Sequence, residues 1–242
     1  MTTTVHPVPG DERASPLPEP RLGAAFRKAG QDFYFNSWRL VPANLVWAGV
    51  LGAVVVGAIF WLPAALLVAV VAVPLAGIHR MAALIARDDG ASFSDFLDGM
   101  RRRAGAALAA GVAATILAIV FSSNVILGLQ FDNPFGWFLS ATAAYADVAL
   151  AMVLVAFWPI LVDPRREHLP LRRAIVLAGL VCLARPGRMF LLTLLIGAIL
   201  LAATAILPAI ALVGVVYVSL VATRYVLPLA DRVEGRTTTE ER

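Results

Sequence analysis

Charge is scarce in this chain, and so are cysteine and histidine. Charged residues make up 15% of the sequence, against about 25% in a typical soluble domain, and mean hydropathy is +0.81. The single cysteine, Cys182, excludes an intramolecular disulfide framework and a paired-cysteine motif. The histidines, His6, His79 and His168, lie far apart and make no metal-ligand cluster. These shortages exclude a disulfide scaffold and argue against a soluble domain or a metalloprotein.

Signature motifs of common enzymes are also lacking. The chain contains no GxxxxGK[ST], GxGxxG, HExxH or GxSxG sequence, and no pair of carboxylates lies within one apolar segment. We therefore expect no enzyme activity and no cofactor. The sequence pI near 9.8 is compatible with nucleic-acid binding, but the basic residues border apolar segments instead of forming a groove. No nucleic-acid partner is expected.

Long apolar segments dominate the chain. Each is long enough for an α-helix to cross roughly 30 Å of hydrocarbon. The predicted spans are 41–61, 64–86, 104–129, 137–162, 189–207 and 209–229. Pro63 and Pro208 mark tight turns within the first and the last pair of spans. We expect an all-α membrane bundle of six transmembrane helices, arranged as three hairpins.

The basic residues predict the topology. All 20 Lys and Arg residues fall on one side of the predicted membrane, and Arg80 and Arg224, near span ends, are expected to reach that interface with their long side chains. The other side carries one charge, Asp132. The positive-inside rule makes the basic side cytoplasmic. A membrane domain at 21–230 then stands between two cytoplasmic tails, a disordered one at 1–20 and a polar one at 231–242.

Amphipathic segments precede the first, third and fifth spans and begin near residues 22, 92 and 170. In the second of them Phe93, Phe96, Leu97 and Met100 recur with helical spacing, and Ser92 and Asp95 have the spacing of a capping box. Each segment predicts a cytoplasmic surface helix. The third, 170–184, is too short to cross, so an interfacial or a re-entrant helix is expected. We infer that the architecture, a surface helix followed by a transmembrane hairpin, repeats three times with a period of roughly 70–80 residues.

Arg101, Arg102 and Arg103 end the surface segment before the third span. Positive charge at that point holds the start of the span on the cytoplasmic side. The three side chains are also candidates for contact with anionic lipid headgroups or with an acidic partner. The alternative is that they serve topology alone.

Asp147 is the only acidic residue inside a predicted span, and it lies near the middle of the membrane. An aspartate there costs roughly 2.5–3.5 kcal/mol on insertion scales, which makes it a functional candidate. With Asn124 and Ser123 it forms a candidate intramembrane polar site for a cation, a proton or a polar solute. The alternative is a structural role, in which Asp147 is protonated or hydrogen-bonded to a polar neighbour. The candidate polar neighbours are Ser122, Ser123, Asn124, Tyr145 and Thr204.

Four stretches in and around the spans carry a resemblance to a known family, and the second of them combines a proline-containing span with a short acidic link and an F-x-D-F-type surface helix. They are FYFNSWRLVPANLVWAG, VPLAGIHRMAALIARDDGASFSDFLDGMRRR, WPILVDPRREHLPLRRAIVLA and LARPGRMFLLTLL. Together they reach across about residues 25–230 and resemble the YesL-like family of bacterial membrane proteins, whose function is unknown. The resemblance implies a bacterial cytoplasmic membrane protein and an accessory role beside carbohydrate-uptake systems. It supplies no functional residues.

The sequence therefore favours an accessory or scaffolding membrane component associated with solute (carbohydrate) uptake. Its expected partners are the lipid bilayer and another membrane protein, such as a transporter subunit. The alternative is a small-solute or ion transporter or channel that uses Asp147. The oligomeric state is left open.

Overall fold

The structure is a computed structural model that describes residues 19–131, 133–206 and 209–235. These residues are mainly helical and include no strand. The α-helices are α1 (Leu22–Phe60), α2 (Ala72–Ala86), α3 (Phe93–Gln130), α4 (Pro134–Val162), α5 (Leu171–Ala184), α6 (Pro186–Ala205) and α7 (Val215–Val233). A 3-10 helix, Leu62–Val71, leads into α2, and a π-helical turn, Ile210–Gly214, leads into α7. Six helical segments of the described chain are long and apolar enough to cross a membrane, which confirms the all-α membrane bundle.

The helices form three hairpins, and each hairpin begins and ends at the same end of the bundle. Arg87 follows α2, Asp163 follows α4 and Asp231 lies in the last turn of α7, and Arg87 contacts both aspartates. The C-terminal ends of these three helices therefore meet. We call α2, α4 and α7 the return helices, because they run back to this charged end, and α1, α3 and α6 the outgoing helices. Asp132, the charge predicted for the opposite side, lies outside the described residues.

Burial separates the two sets of helices. In the most apolar stretch of the return helices, 50%, 39% and 72% of the residues are buried, against 17%, 11% and 17% in the outgoing helices. Leu220 and Val226 of α7 are fully buried, whereas Ile116 of α3 and Leu201 of α6 are exposed. The return helices are thus the core, and the outgoing helices present apolar side chains outward.

The first two amphipathic segments are not separate surface helices. They are the first turns of α1 and α3, which run unbroken for 39 and 38 residues. At about 1.5 Å per residue each helix is well over 50 Å long, so it extends beyond the hydrocarbon at the charged end. Only α5 is a separate helix. Pro186 is the reason, because the residue before a proline is kept out of helical geometry and Arg185 has φ −145° and ψ 63°.

Small residues allow the helices to approach closely. A Cβ atom on Gly77 of α2 would lie 2.6 Å from the Phe96 ring, and one on Gly111 of α3 would lie 2.7 Å from the Ala69 carbonyl oxygen. Ala107, one turn before Gly111, is fully buried. The small-residue run at the start of the third span therefore packs within this chain.

The predicted capping box at the start of α3 is confirmed. The backbone N–H of Ser92 donates to Asp95 Oδ2 at 2.7 Å, and the Ser92 hydroxyl donates to the same oxygen at 2.6 Å. Phe96 on the predicted apolar face is fully buried. Phe93 stacks on it with ring centroids 5.3 Å apart. Phe93 and Leu97 of the same face are 38% and 37% exposed, so the face packs into the bundle at Phe96 and Met100 only.

Candidate functional site

Buried charges join the ends of the return helices, and we call this group the end cluster. Its members are Arg87, Asp163, Arg166, Asp231 and Glu234. Arg87 lies 2.7 Å from Asp163 and 2.6 Å from Asp231. Arg166 contacts the same two aspartates, with 2.5 Å to Asp231, and reaches Glu234 at 2.7 Å. Each arginine thus bridges the same two carboxylates.

The end cluster is shielded from solvent. The side chains of Arg87, Asp163, Arg166 and Asp231 are only 8%, 0%, 1% and 3% exposed. Burial alone would lower the pKa of Arg87, but hydrogen bonds and charge from Asp231 and Asp163 raise it above its ordinary value. Burial acts on Arg166 in the same way, and Glu234 with the two aspartates likewise raises its pKa. Both guanidinium groups are therefore held in the charged form.

The sequence Asp-Pro-Arg-Arg builds one side of the cluster. Pro164 disfavours helical geometry at the preceding residue, and α4 ends at Val162. Asp163 Oδ1 accepts the N–H of Arg165 at 3.2 Å, which caps the short 3-10 turn that follows. That turn returns the Arg166 side chain to Asp163 three residues earlier. The acid and the base are thus positioned by the same local turn.

Arg80 and Arg224 do not extend freely to the interface. Arg80 donates to the Val162 carbonyl at 3.1 Å and to Glu167 at 2.5 Å, so α2 caps the end of α4. Arg224 forms a two-point contact with Asp32 of α1 at 2.6 and 2.9 Å. It also donates to the last carbonyls of α2 at 2.9 and 3.0 Å. A basic group at a helix C-terminus satisfies free carbonyls and complements the helix dipole.

The arginines predicted for lipid or partner contact divide into two kinds. Arg103 donates to the carbonyls of Arg166 at 3.0 Å and Leu169 at 3.3 Å, so it braces the link after α4. Arg101 is exposed, and Arg102 is 64% exposed, with Glu167 3.7 Å away. Contact with lipid headgroups or a partner stays a prediction for all three arginines, and Arg103 in addition holds the link after α4 through these two carbonyls.

No hydrogen bond joins the three residues of the candidate intramembrane site, all of which lie in the described part of the chain. Asp147, which is half-buried, accepts a hydrogen bond from Ser122 of α3 at 3.2 Å. Asn124 donates to the Val120 carbonyl of its own helix at 2.8 Å, and Ser123 is exposed. Asp147 thus has the helix-to-helix hydrogen bond of the structural alternative. Its use in transport stays a prediction.

Part of the predicted C-terminal tail belongs to the folded domain. The sequence assigned 231–242 to a polar tail, but α7 continues to Val233 and both Asp231 and Glu234 join the end cluster. Residues 1–18 and 236–242 lie outside the described residues. The folded domain therefore continues past the predicted boundary at residue 230, because Asp231 and Glu234 pair with the buried arginines.

The residue pattern did not indicate the end cluster, although two signals for it exist. Asp163 and Asp231 each follow an apolar stretch directly. If a charge at such a position is buried, it needs an oppositely charged partner, which can come from the end of another helix. Arg87 precedes Asp163 by 76 residues and Asp231 by 144 residues, which is about one and two periods of the inferred repeat. Equivalent ends of the three hairpins are thus the ones that meet.

In the described part of the chain, no group of three or more His, Cys, Asp or Glu residues is arranged to hold a metal ion. Comparison with protein-family models, with curated proteins and with solved structures finds no match.

Proposed function

We propose that this protein is an accessory or scaffolding component of a bacterial cytoplasmic membrane, associated with solute uptake and without catalytic activity. The observation that carries the proposal is the end cluster, which ties the three core helices together at one end. Removing one partner of a buried ion pair costs about 3–5 kcal/mol. Relative motion of α2, α4 and α7 at this end would separate several such pairs. A core fixed in this way suits a protein that presents a surface better than one that alternates between two openings.

Orientation follows from the positive-inside rule. The end cluster, Arg101 to Arg103 and the arginines of α5 belong to one end of the bundle, so we place this end in the cytoplasm together with both termini. The resemblance to the YesL-like family supports the bacterial cytoplasmic membrane and an uptake system as the setting.

The part of α1 near the charged end offers a docking surface. Tyr34, Phe35 and Trp38 are 77%, 74% and 69% exposed, and Arg39 lies over the Trp38 ring at 4.4 Å. Aromatic residues and arginine are the types most enriched at the centres of protein interfaces. We infer that a membrane subunit of the uptake system packs against these side chains at the level of the headgroups.

Site-specific photo-crosslinking in the native bacterium tests the proposal. A photo-reactive residue at Phe35 is compared with one at Phe60, which is 86% exposed at the far end of the same helix. The proposal expects one cross-linked uptake subunit from Phe35 and not from Phe60, together with reduced uptake by that system when this protein is deleted.

The transporter alternative gives a different result. The purified protein in liposomes would then move a solute or ion by itself, and Asp147→Asn would abolish the flux while the thermal unfolding temperature stayed unchanged. That outcome would overturn the accessory role, because Asn preserves the shape and most of the hydrogen bonding of Asp but not its charge.

A further inference from the structure

A pocket of about 230 Å³ lies at the charged end of the bundle, next to the end cluster but lined by other residues. Its wall is built by α2, the N-terminal part of α3, the last residue of α4 and the link that follows α4. The pocket is partly open, and polar atoms are exposed on its wall. A charged group can therefore enter it without crossing the hydrocarbon.

Three arginines of this wall converge on one residue, Glu167. Arg80 donates to Glu167 Oε1 at 2.5 Å, and Arg103 donates to the backbone carbonyl of Glu167. Nη1 of Arg102 lies 3.7 Å from Glu167 Oε2, which is beyond hydrogen-bond distance. The three guanidinium groups therefore meet at the same pocket.

Gly99 lets α3 pass close to α2 beside the pocket. A Cβ atom on Gly99 would lie 2.7 Å from the Cβ of Arg80, so a larger residue would hold the two helices apart. Arg102 and Arg103 follow Gly99 at i+3 and i+4, on the same face of the helix. The close approach thus brings both arginines to the side of Arg80.

The charges on the wall do not cancel. The wall carries three arginines and one carboxylate, which leaves a net charge of +2 when His168 is neutral. Asp98 lies 3.7 Å from Arg102, but both side chains are more than half exposed, so solvent screens this pair. The pocket therefore favours an anion that carries up to two negative charges.

The guanidinium group of Arg102 is available to such an anion. It makes no hydrogen bond among the described residues, since its neighbouring carboxylates, Glu167 and Asp98, are both 3.7 Å away. The planar fork of an arginine matches the oxygens of a phosphate and binds them through two parallel hydrogen bonds. A phosphate monoester carries about −1.5 to −2 charges at pH 7, which is close to the charge that the wall leaves uncompensated.

We propose that this pocket binds a phosphate monoester group, with the fork of Arg102 on the phosphate oxygens and with Arg80 and Arg103 supplying further positive charge. A cavity of about 150 Å³ holds one benzene ring, so the volume here accepts the phosphate and a small part of the molecule that carries it. The group belongs either to the headgroup of a phosphomonoester lipid or to a free phosphate. This site is independent of the accessory role proposed above.

Binding to the purified full-length protein in nanodiscs tests the site and distinguishes the two sources. Nanodiscs of phosphatidylcholine receive a minor fraction of phosphatidic acid, whose phosphate is a monoester, or of phosphatidylglycerol with the same acyl chains, whose phosphate is a diester. Native mass spectrometry measures the fraction of protein that retains each lipid. In a separate arm, nanodiscs of phosphatidylcholine alone are dialysed against radiolabelled inorganic phosphate.

A lipid source predicts that phosphatidic acid is retained more than phosphatidylglycerol by about tenfold, the factor that one hydrogen bond to a charged group supplies. A free-phosphate source predicts saturable binding of inorganic phosphate without that lipid preference. Either result supports the site, provided that it depends on Arg102.

The decisive variant is Arg102→Ala, at a side chain that is 64% exposed, so the fold should persist. It should weaken the binding of the retained ligand by about tenfold or more. The matched control is Arg101→Ala, which removes an equal charge from an exposed neighbour that does not line the pocket. Because that charge is screened, the control should weaken binding by less than about twofold.

Glu167→Gln is a second variant, with the opposite expected effect. Glutamine still accepts a hydrogen bond from Arg80 but removes the negative charge beside the phosphate. Binding should therefore tighten by about two- to tenfold, which a purely structural role of Glu167 would not produce.

Equal retention of the two anionic lipids, together with no saturable binding of inorganic phosphate, would overturn the proposal, since the arginines would then attract negative charge of any kind. An equal loss of binding in Arg101→Ala and Arg102→Ala would overturn it as well.

Discussion

The outgoing and the return helices are almost equally hydrophobic, yet the return helices are far more buried. Mean hydropathy is 2.1, 2.3 and 2.1 for the outgoing helices and 2.2, 2.1 and 1.8 for the return segments. The helix with the lowest value, α7, is the most buried, with 72% of its apolar stretch inside the bundle. Hydropathy does not distinguish a lipid-facing helix from a core helix, because the lipid and the bundle interior are both apolar. Polar residues distinguish the two kinds of helix, because polar side chains need partners inside the bundle.

The return helices carry most of those polar residues, although Asn44 of the outgoing helix α1 is also fully buried. His79 and Arg80 of α2 and Ser219, Thr223 and Arg224 of α7 are buried or partly buried and hydrogen-bonded. At the charged end the return helices also hold the end cluster. The two sets of helices therefore differ mainly in how many polar side chains find partners inside the bundle.

The largest effect is expected from breaking the end cluster. Arg166→Ala leaves Asp163, Asp231 and Glu234 with one arginine fewer in a buried site, so unfolding free energy should fall by about 3–5 kcal/mol. Arg101→Ala, at an exposed position, should change it by less than about 0.5 kcal/mol. Denaturant unfolding in mild detergent measures both, and equal small effects would contradict a structural role for the cluster.

Matched leucine truncations probe the core against the lipid face. Leu220→Ala in α7 removes a fully buried side chain, and Leu117→Ala in α3 removes one that is 41% exposed. The first should destabilise the protein by about 2–5 kcal/mol and the second by less than about 0.5 kcal/mol. Thermal unfolding of both variants in the same detergent gives the comparison, and a similar loss at both positions would show that α3 is as buried as α7.

A smaller effect is expected where a return helix meets an outgoing one. In Gly77→Ala the new methyl would lie 2.6 Å from the Phe96 ring and 2.7 Å from its carbonyl oxygen, so the helices must separate at a cost of about 1–3 kcal/mol. Gly105→Ala in α3 meets nothing within 4 Å and should be neutral or stabilising, since alanine favours helix. If both variants unfold at the same temperature, the close approach of α2 and α3 is wrong.

The smallest effect concerns Glu167, which is partly exposed. The hydrogen bond from Arg80 holds the pKa of Glu167 below its ordinary value of 4.5. Glu167 therefore stabilises the fold above that pH, and this contribution is lost as the pH falls through the lowered folded-state pKa. Solvent screening limits it to about 0.2–1 kcal/mol. Glu167→Gln should be less stable than wild type at pH 7, and the gap should narrow below pH 4.5.

The control for Glu167 is Asp89→Asn, an exposed acid in the link between α2 and α3. It should show little change at either pH. A gap for Glu167→Gln that widens as the pH falls would contradict the contact with Arg80.

The spans were predictable because length and hydropathy decide them locally. The break between α5 and α6 was also predictable, because Pro186 disfavours helical geometry at the residue before it. The continuity of α1 and α3 was not foreseen, because an amphipathic segment and an apolar span each have helical periodicity and neither contains a residue that forces a break at their junction.

The end cluster could not be derived from local patterns. Arg87, Asp163 and Asp231 come from three different hairpins, and each by itself resembles an ordinary charge at the end of a span. Only the packing of the return helices shows that they share one buried site. Asp147 was the easier candidate because it is the one acid inside a predicted span, but the structure gives it only a partly exposed hydrogen bond with Ser122.

Oxygen accessibility of spin labels in lipid bilayers tests the central claim most directly. Single cysteines along 108–120 of α3 and 215–227 of α7 are introduced after Cys182→Ala. Lipid-soluble oxygen should relax most labels along α3 strongly, whereas labels along α7 should be protected at nearly every position, because the return helix is core. Equal accessibility along both helices, or a more accessible α7, would contradict a core made of the return helices.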